Sequence, residues 1–257
     1  MSLNSAGWLD AGANDASTAS AHPPTISLAG IRVALWTATA VVLLLGYARD
    51  FLVESQIVPV APDWLRLINL DGEMTIPAWY SSMLMWSAAV LLAVLAVYRS
   101  DRRVVTGIWW WSLSALFFYL SLDETASIHE NLGPDLLGAY QPLPIFAFNW
   151  VIVVGPAVVI VGLAFLPFLF RLPKSARLRI MAAGFVYVCG AYGMELVGGY
   201  VAATNGGPIL YDICTAIEES LEMIGLSLFL TALLDFLASE TPLLTLAPRR
   251  RDGGDLA

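Results

Sequence analysis

Charged residues are scarce in this sequence: they make up 13% of its 257 residues, whereas hydrophobic residues make up 58%. A water-soluble domain keeps about a quarter of its residues charged, because its surface must be solvated by water. The shortage therefore excludes an ordinary soluble globular protein and favours one whose surface faces lipid. Lysine and arginine number 13, against 21 aspartates and glutamates, so the charge balance gives nucleic-acid binding no support.

Histidine and cysteine are nearly absent, with two of each. His22 and His129 cannot supply the His-x3-His motif of membrane hydrolases such as alkaline ceramidases and adiponectin receptors, nor a histidine-rich desaturase site. Cys189 and Cys214 lie inside different predicted helices at different depths. This placement is typical of small apolar packing residues rather than of a disulfide or a metal pair.

The sequence does contain six apolar stretches, each long enough to cross about 30 Å of hydrocarbon as a helix. They cover residues 31–48, 78–98, 104–128, 144–170, 178–203 and 211–237. The stretches are continuous rather than alternating, which excludes a transmembrane β-barrel. We predict an all-α polytopic membrane protein with a bundle of six transmembrane helices over 28–238, a disordered tail over 1–27 and a second tail over 239–257.

Basic residues gather in alternate connections between the spans, which predicts the orientation of the chain in the membrane. The second connection, the fourth connection and the C-terminal tail contain Arg99, Arg102, Arg103, Arg171, Lys174, Arg177, Arg179, Arg249, Arg250 and Arg251. The third and fifth connections contain no lysine or arginine. Both termini are therefore predicted to face the cytoplasm, with the protein in a bacterial inner membrane. The basic inner face would suit anionic lipid.

Seven carboxylic acids interrupt the later spans, and the predicted orientation places them in the outer half of the bilayer or at its outer rim. They are Asp123, Glu124, Glu130, Glu195, Glu218, Glu219 and Glu222, of which Glu195 and Glu222 are the deepest. A carboxylate at the centre of a membrane helix costs roughly 2.5–3.5 kcal/mol. No lysine or arginine occurs over 104–170 or 181–248. A bound proton, a bound metal ion, a water-filled cavity, or Arg49 and Arg66 from the first outer loop must therefore offset this cost.

Helical spacing tests whether these acids can converge. At about 100° per residue, Glu218 and Glu222 share one stripe of the sixth span. On the third span, His129 lies about 120° around the helix from Asp123, so an unbroken helix would not direct both side chains to one centre. A wide turn, or a helix end before residue 133, would bring His129 round to Asp123.

Three segments resemble those of an uncharacterised group of bacterial multi-pass membrane proteins. They are Leu-Asp-Gly-Glu followed by Ile-Pro-x-Trp-Tyr-Ser-Ser over 70–82, Ser-Leu-Asp-Glu-x4-His-Glu over 121–130, and Glu-Glu-x2-Glu-Met over 218–223. The resemblance covers about 69–236 and implies neither an activity nor a ligand set. Its first segment brings two more acids, Asp71 and Glu73, to the outer mouth of the bundle.

We interpret the acids as ligands of a divalent cation, because carboxylate-rich and imidazole-poor sites suit Ca²⁺, Mg²⁺, Mn²⁺ or iron. Carboxylates from several helices of a bundle also build di-iron and di-manganese sites, although the usual pair of Glu-x-x-His motifs is missing here. The candidate metal ligands are Glu195, Glu222, Glu218, Asp123, Glu124, Glu219, Glu130 and His129. A metal-dependent membrane enzyme is one function for such a site, and the sequence leaves open whether the protein is an enzyme.

Two other functions stay open. Acids that take up protons inside the membrane are typical of a proton- or cation-coupled transporter, for which Gly155-Pro156 and Gly198-Gly199 are candidate helix breaks. A hydrogen-bonded, partly protonated network would instead fit a non-catalytic subunit or lipid-binding scaffold of a membrane complex. The partners implied are the lipid bilayer, a lipid or small periplasmic ligand, and another membrane protein.

Overall fold

The computed structural model describes residues 27–55, 57, 62–100 and 104–240, and within these ranges the chain is helical and forms no strand. The elements, in chain order, are α1 (Leu28–Glu54), α2 (Asp63–Arg66), α3 (Ile76–Ser100), α4 (Val104–Ala126), α5 (Ile128–Leu137), a 3-10 turn (Pro144–Phe146), α6 (Trp150–Leu169), α7 (Lys174–Val188), a π-helical segment (Cys189–Met194), α8 (Glu195–Ala203) and α9 (Pro208–Glu240). The predicted all-α fold is confirmed for the described residues. The two predicted tails lie outside them over 1–26 and 241–257.

Five helical stretches of the described chain are long and apolar enough to cross a membrane, which indicates a multi-pass membrane protein in contact with lipid. They are Leu28–Glu54, Ile76–Arg99, Trp150–Leu169, Lys174–Ala203 and Pro208–Glu240. α4, the third predicted span, forms a helix of 23 residues but is not among the five. It carries three consecutive tryptophans and, near its end, Asp123 and Glu124. The sixth crossing and the side on which the termini lie stay predictions.

The fourth predicted span begins later than expected, because its first residues form turns instead of helix. Leu143 is extended, with φ −145° and ψ 153°, as is usual for a residue that precedes a proline. The amide of Asn149 then donates a hydrogen bond of 2.7 Å to the carbonyl of Gly138 and closes the turn region. α6 starts only at Trp150, rather than at residue 144.

α9 is the central helix of the bundle. In its most apolar stretch 61% of the residues are buried, against 11% for α1 and 17% for α6. α9 packs against α1, α3, α7 and α8. Its residues Met223 and Leu233 belong to the same hydrophobic core as Met85 and Leu92 of α3, and all four are fully buried. The acids of α9 are therefore on the helix that is best shielded from lipid.

A ladder of polar contacts attaches α1 to α9. The pairs are Tyr47 with Ser220 at 2.7 Å, Thr39 with Ser227 at 2.8 Å, Trp36 with Thr231 at 3.3 Å, and Arg32 with Asp235 as an ion pair. Each step along α1 matches a step in the opposite direction along α9 that is the same length to within one residue, as expected for neighbouring antiparallel helices. Because α1 buries few residues, these polar contacts specify where it docks.

The two ends of the bundle differ in charge. At one end Asp235 pairs with Arg32 and, at 2.6 Å, with Arg179, while Arg99 pairs with Glu240 at 2.8 Å. These contacts join the starts of α1 and α7 to the ends of α3 and α9. We call this the arginine end, and we call the opposite end, where the segment 67–75 and α5 lie, the loop end.

Candidate functional site

A cavity of about 220 Å³ lies among helices α3 to α9 and reaches the loop end. We call it the acidic cavity, because nine carboxylic acids line it: Asp71, Glu73, Asp123, Glu124, Glu130, Glu195, Glu218, Glu219 and Glu222. His129 lines it as well. The structure thus brings all eight predicted metal ligands, and both acids of the first loop, to one cavity. No lysine or arginine of the described residues lines it.

His129 reaches the cavity because the helix breaks just before it. Ser127 adopts a left-handed conformation, with φ 48° and ψ 43°, and ends α4 so that α5 starts in a new direction. The ring nitrogen Nδ1 of His129 then lies 2.7 Å from Oδ2 of Asp123, and its backbone N–H donates to Oδ1 at 2.9 Å. The spacing of an unbroken helix therefore does not apply to His129. The chain breaks at Ser127, and this break brings the side chain of His129 to Asp123.

Trp150, at the start of α6, holds the carboxyl group of Glu195. Its indole N–H donates a hydrogen bond of 2.8 Å to Oε1 of Glu195. The ring of His129 meets the same indole edge-on, with the ring centroids 4.6 Å apart. Trp150 is not among the predicted site residues, because a tryptophan near the end of a span is ordinary at a membrane interface.

Glu195 follows directly after the π-helical segment Cys189–Met194. Such segments are rare and frequently lie at functional sites. This one crosses α9 closely: a Cβ atom on Gly190 would lie 2.9 Å from the carbonyl oxygen of Glu218 and 3.0 Å from the backbone nitrogen of Glu222. The absence of a side chain at Gly190 thus lets the two helices approach closely beside the acids.

Two pairs of carboxyl groups meet inside the cavity. Glu218 is hydrogen-bonded to Glu195, and Glu130 is hydrogen-bonded to Glu73. Ser127 also donates a hydrogen bond to Glu73. Ionised carboxylates are acceptors only, so each carboxyl pair requires at least one proton. Each pair is therefore a place where the cavity can hold a proton.

Glu222 is the most deeply buried of the cavity acids that have no partner among the described side chains. Its exposed fraction is 9%, and no side chain of the described residues gives it a hydrogen bond or an ion pair. Asp123 is as deeply buried, at 8%, but is bonded to His129. An acid that is buried without a partner costs stability unless it is protonated or bound to a cation.

Three groups at the loop end have raised pKa values. Burial, followed by the charges of Asp212 and Glu195, raises the pKa of Asp71 to about 6. Burial and the contact with Glu73 raise the pKa of Glu130 to about 7. Burial lowers the pKa of His129, but its bond to Asp123 and the charges of Asp123, Glu130 and Glu124 together outweigh that effect and raise the pKa above its usual value. All three groups therefore hold their protons to a higher pH than they would in water.

The geometry gives the metal hypothesis no direct support. Among the described residues, no group of three or more histidine, cysteine, aspartate and glutamate side chains is arranged to hold a metal ion. Arg49 does not enter the acidic cavity; it pairs with Asp50 at 2.8 Å beside a neighbouring pocket. Metal binding by the eight predicted ligands stays a prediction.

The comparison with known protein families identifies the chain. Residues 34–236 match the family described as Domain of unknown function (DUF8692). The chain belongs to the DUF8692 family. The match covers α3 to α8 completely, most of α1 and α9, and every residue that lines the acidic cavity. No curated protein and no solved structure matches this DUF8692 chain.

Proposed function

We propose that this DUF8692 protein binds a cation in the acidic cavity and releases protons as the cation enters. The observation that carries the proposal is the lining: nine carboxyl groups share the cavity, and no lysine or arginine of the described residues lines it. So many acids cannot all be ionised in a space largely shielded from water. A cation would replace the protons that the carboxyl pairs hold.

We also propose the orientation in which the cavity faces the outside of a bacterial inner membrane and both termini lie in the cytoplasm. Arg32, Arg99 and Arg179 support it, because they gather at the arginine end of the bundle. Basic residues favour the cytoplasmic side of a membrane. In this orientation a ligand would reach the cavity from the periplasm.

The proposal is tested by calorimetric titration of the purified protein, in detergent and in two buffers of different ionisation enthalpy. A panel of divalent metal ions and organic ammonium ions is titrated in turn. We expect at least one of these cations to bind, with a binding heat that differs between the buffers because protons are released. Exchange of Glu195 and Glu218 together for glutamine should weaken binding by about tenfold or more, since two acceptors of one ligand are neutralised.

A matched control distinguishes the loss of acids in the cavity from the loss of negative charge on the surface. Asp135 lies on α5, is exposed and does not line the cavity, so Asp135→Asn removes one negative charge from the same region of the protein. We expect Asp135→Asn to bind the cation as the unmodified protein does. Binding that depends equally on Asp135 and on the Glu195–Glu218 pair, or no binding of any cation, contradicts the proposal.

Proton- or cation-coupled transport is a second candidate function, and the π-helical segment before Glu195 favours it. Transporters often interrupt a helix beside their ligand site. In proteoliposomes, a transporter would move the bound cation in response to a pH gradient, and Glu195→Gln would abolish the movement. Binding in detergent without any gradient-driven flux would leave the cavity as a receptor site.

A further inference from the structure

We infer that the acidic cavity takes a linear diamine or polyamine, whose ammonium groups meet the carboxylates while its methylene groups follow the apolar wall. This inference rests on the proposed cation binding and specifies its ligand. The observation that points to a ligand is Glu222, which is nine-tenths buried, lines the cavity and has no partner among the described side chains. The carboxyl groups around it supply acceptors and no competing cation.

The size of the cavity favours a chain-like molecule over a single ion. Its volume is about 220 Å³, whereas one water molecule needs only about 10–15 Å³ of such space. A metal ion would also need several oxygens at one point, and the described residues offer no such group. An organic cation fills the space and uses acids that lie apart from one another.

The walls between the acids suit ammonium and methylene groups. Trp150, Tyr187 and Tyr211 line the cavity, and aromatic faces attract cations, most strongly where water is excluded. Val154 and Val158 of α6 add an apolar stripe to the wall. A ligand with charged groups separated by hydrocarbon matches this alternation, whereas a hydrated ion would leave the apolar wall without a partner.

The depth of the acids calls for more than one positive charge on the ligand. Asp71 lines a neighbouring pocket together with Asp212 and Thr215 of α9, and Glu222 lies about 10–15 Å further along that helix. Glu218 is between them, about one helical turn, or 6 Å, before Glu222. One ammonium group cannot contact acids at all these depths. A linear molecule with several ammonium groups can contact them in sequence, each by a charge-assisted hydrogen bond.

The test compares four probes of different charge, three of them of similar size, on the full-length protein in detergent by calorimetric titration. These probes are 1,4-diaminobutane, spermidine, n-butylamine and the uncharged 1,4-butanediol; Ca²⁺, Mg²⁺ and Mn²⁺ complete the set. We expect spermidine to bind most tightly, diaminobutane next and butylamine weakly, with no binding of butanediol or of the metal ions. Glu222→Gln should weaken diaminobutane binding by about tenfold, and Asp135→Asn by less than about twofold.

Each other outcome has a definite meaning. Binding of metal ions without amines overturns the polyamine inference but leaves the proposed cation binding intact. Binding of neither class overturns both. Equal binding of diaminobutane by the unmodified protein and by Glu222→Gln shows that the amine sits elsewhere and overturns the inference. Glu218→Gln, at the same cavity, is the second variant if Glu222→Gln does not elute as a single species in size-exclusion chromatography.

Discussion

The imidazole of His129 lies 2.7 Å from the carboxylate of Asp123, although the two residues are on different helices of the loop end. Asp123 also accepts the backbone N–H of His129 and so caps the start of α5 with a side chain of the preceding helix. One carboxylate thus fixes both the backbone and the ring of His129. The ring in turn meets Trp150, which holds Glu195, so the pair connects the helix break to the acids of the cavity.

The first prediction concerns the ionisation of His129. Asp123→Asn keeps the size of the side chain and removes the charge that raises the pKa of His129, so burial should then dominate. We expect the pKa of His129 to fall in this variant, because the carboxylate that raises it is no longer charged. Histidine-selective NMR measures this directly, because the chain has only two histidines, and His129→Gln assigns the signals. A pKa of His129 that is unchanged in Asp123→Asn would show that the pair is not formed.

The second prediction concerns the close crossing at Gly190. Gly190→Ala should destabilise the protein by about 1–3 kcal/mol, because the added Cβ would press on the α9 backbone at Glu218 and Glu222. Gly184→Ala is the matched control on the same span, since a Cβ there meets no described atom within 4 Å. Thermal unfolding in detergent should show a lower midpoint for Gly190→Ala than for the unmodified protein, and an unlowered midpoint for Gly184→Ala. Equal midpoints for the two variants would contradict the crossing.

Much of the bundle could be predicted because lipid imposes a simple requirement on the sequence. The spans predicted over 78–98 and 211–237 correspond to α3 and α9, which extend only two or three residues further at each end. Helix ends depend on caps and on packing rather than on hydropathy, so they are the least predictable part. The acids that line the cavity could also be chosen from the sequence, because carboxylates stand out on apolar helices without counter-charges.

Other features of the site depend on tertiary structure and leave little trace in the sequence. Ser127 adopts a left-handed conformation that favours glycine or asparagine, so its residue type does not mark the break before His129. The π-helical segment that precedes Glu195 needs the fit against α9, and no composition signals it. The hydrogen bond from Trp150 to Glu195 joins elements that are distant in the chain. The eight predicted ligands therefore line one cavity, and their role stays a prediction, whereas the π-helical segment and the bond from Trp150 were not predicted.

The third prediction concerns the polar ladder between α1 and α9. Thr39 and Ser227 are both fully buried and share a hydrogen bond of 2.8 Å. Thr39→Val and Ser227→Ala should each destabilise the protein, and the double variant should lose less than the sum, with a coupling of about 0.6 kcal/mol. The cycle is measured by unfolding in detergent. Thr39→Val combined with Ser112→Ala, an exposed serine bonded within its own helix, should be additive. Additive effects in both cycles would exclude the contact.

The last prediction is that the ligand-free protein loses stability as the pH rises from 5 to 8. The pKa values of Asp71, about 6, and Glu130, about 7, are raised in the folded state, so the folded protein binds more protons than the unfolded chain in this window. The raised pKa of His129 acts in the same direction, because its contribution is complete below the unfolded pKa and is lost above the folded one. We expect the midpoint of thermal unfolding to fall by on the order of 5 °C across the window.

Glu130→Gln should flatten this decline, since it removes the titrating group but keeps a partner for Glu73, whereas the exposed Asp135→Asn should leave it unchanged. A midpoint that rises with pH would mean that the acids of the loop end are ionised in the folded protein and that the cavity holds no protons for a cation to displace.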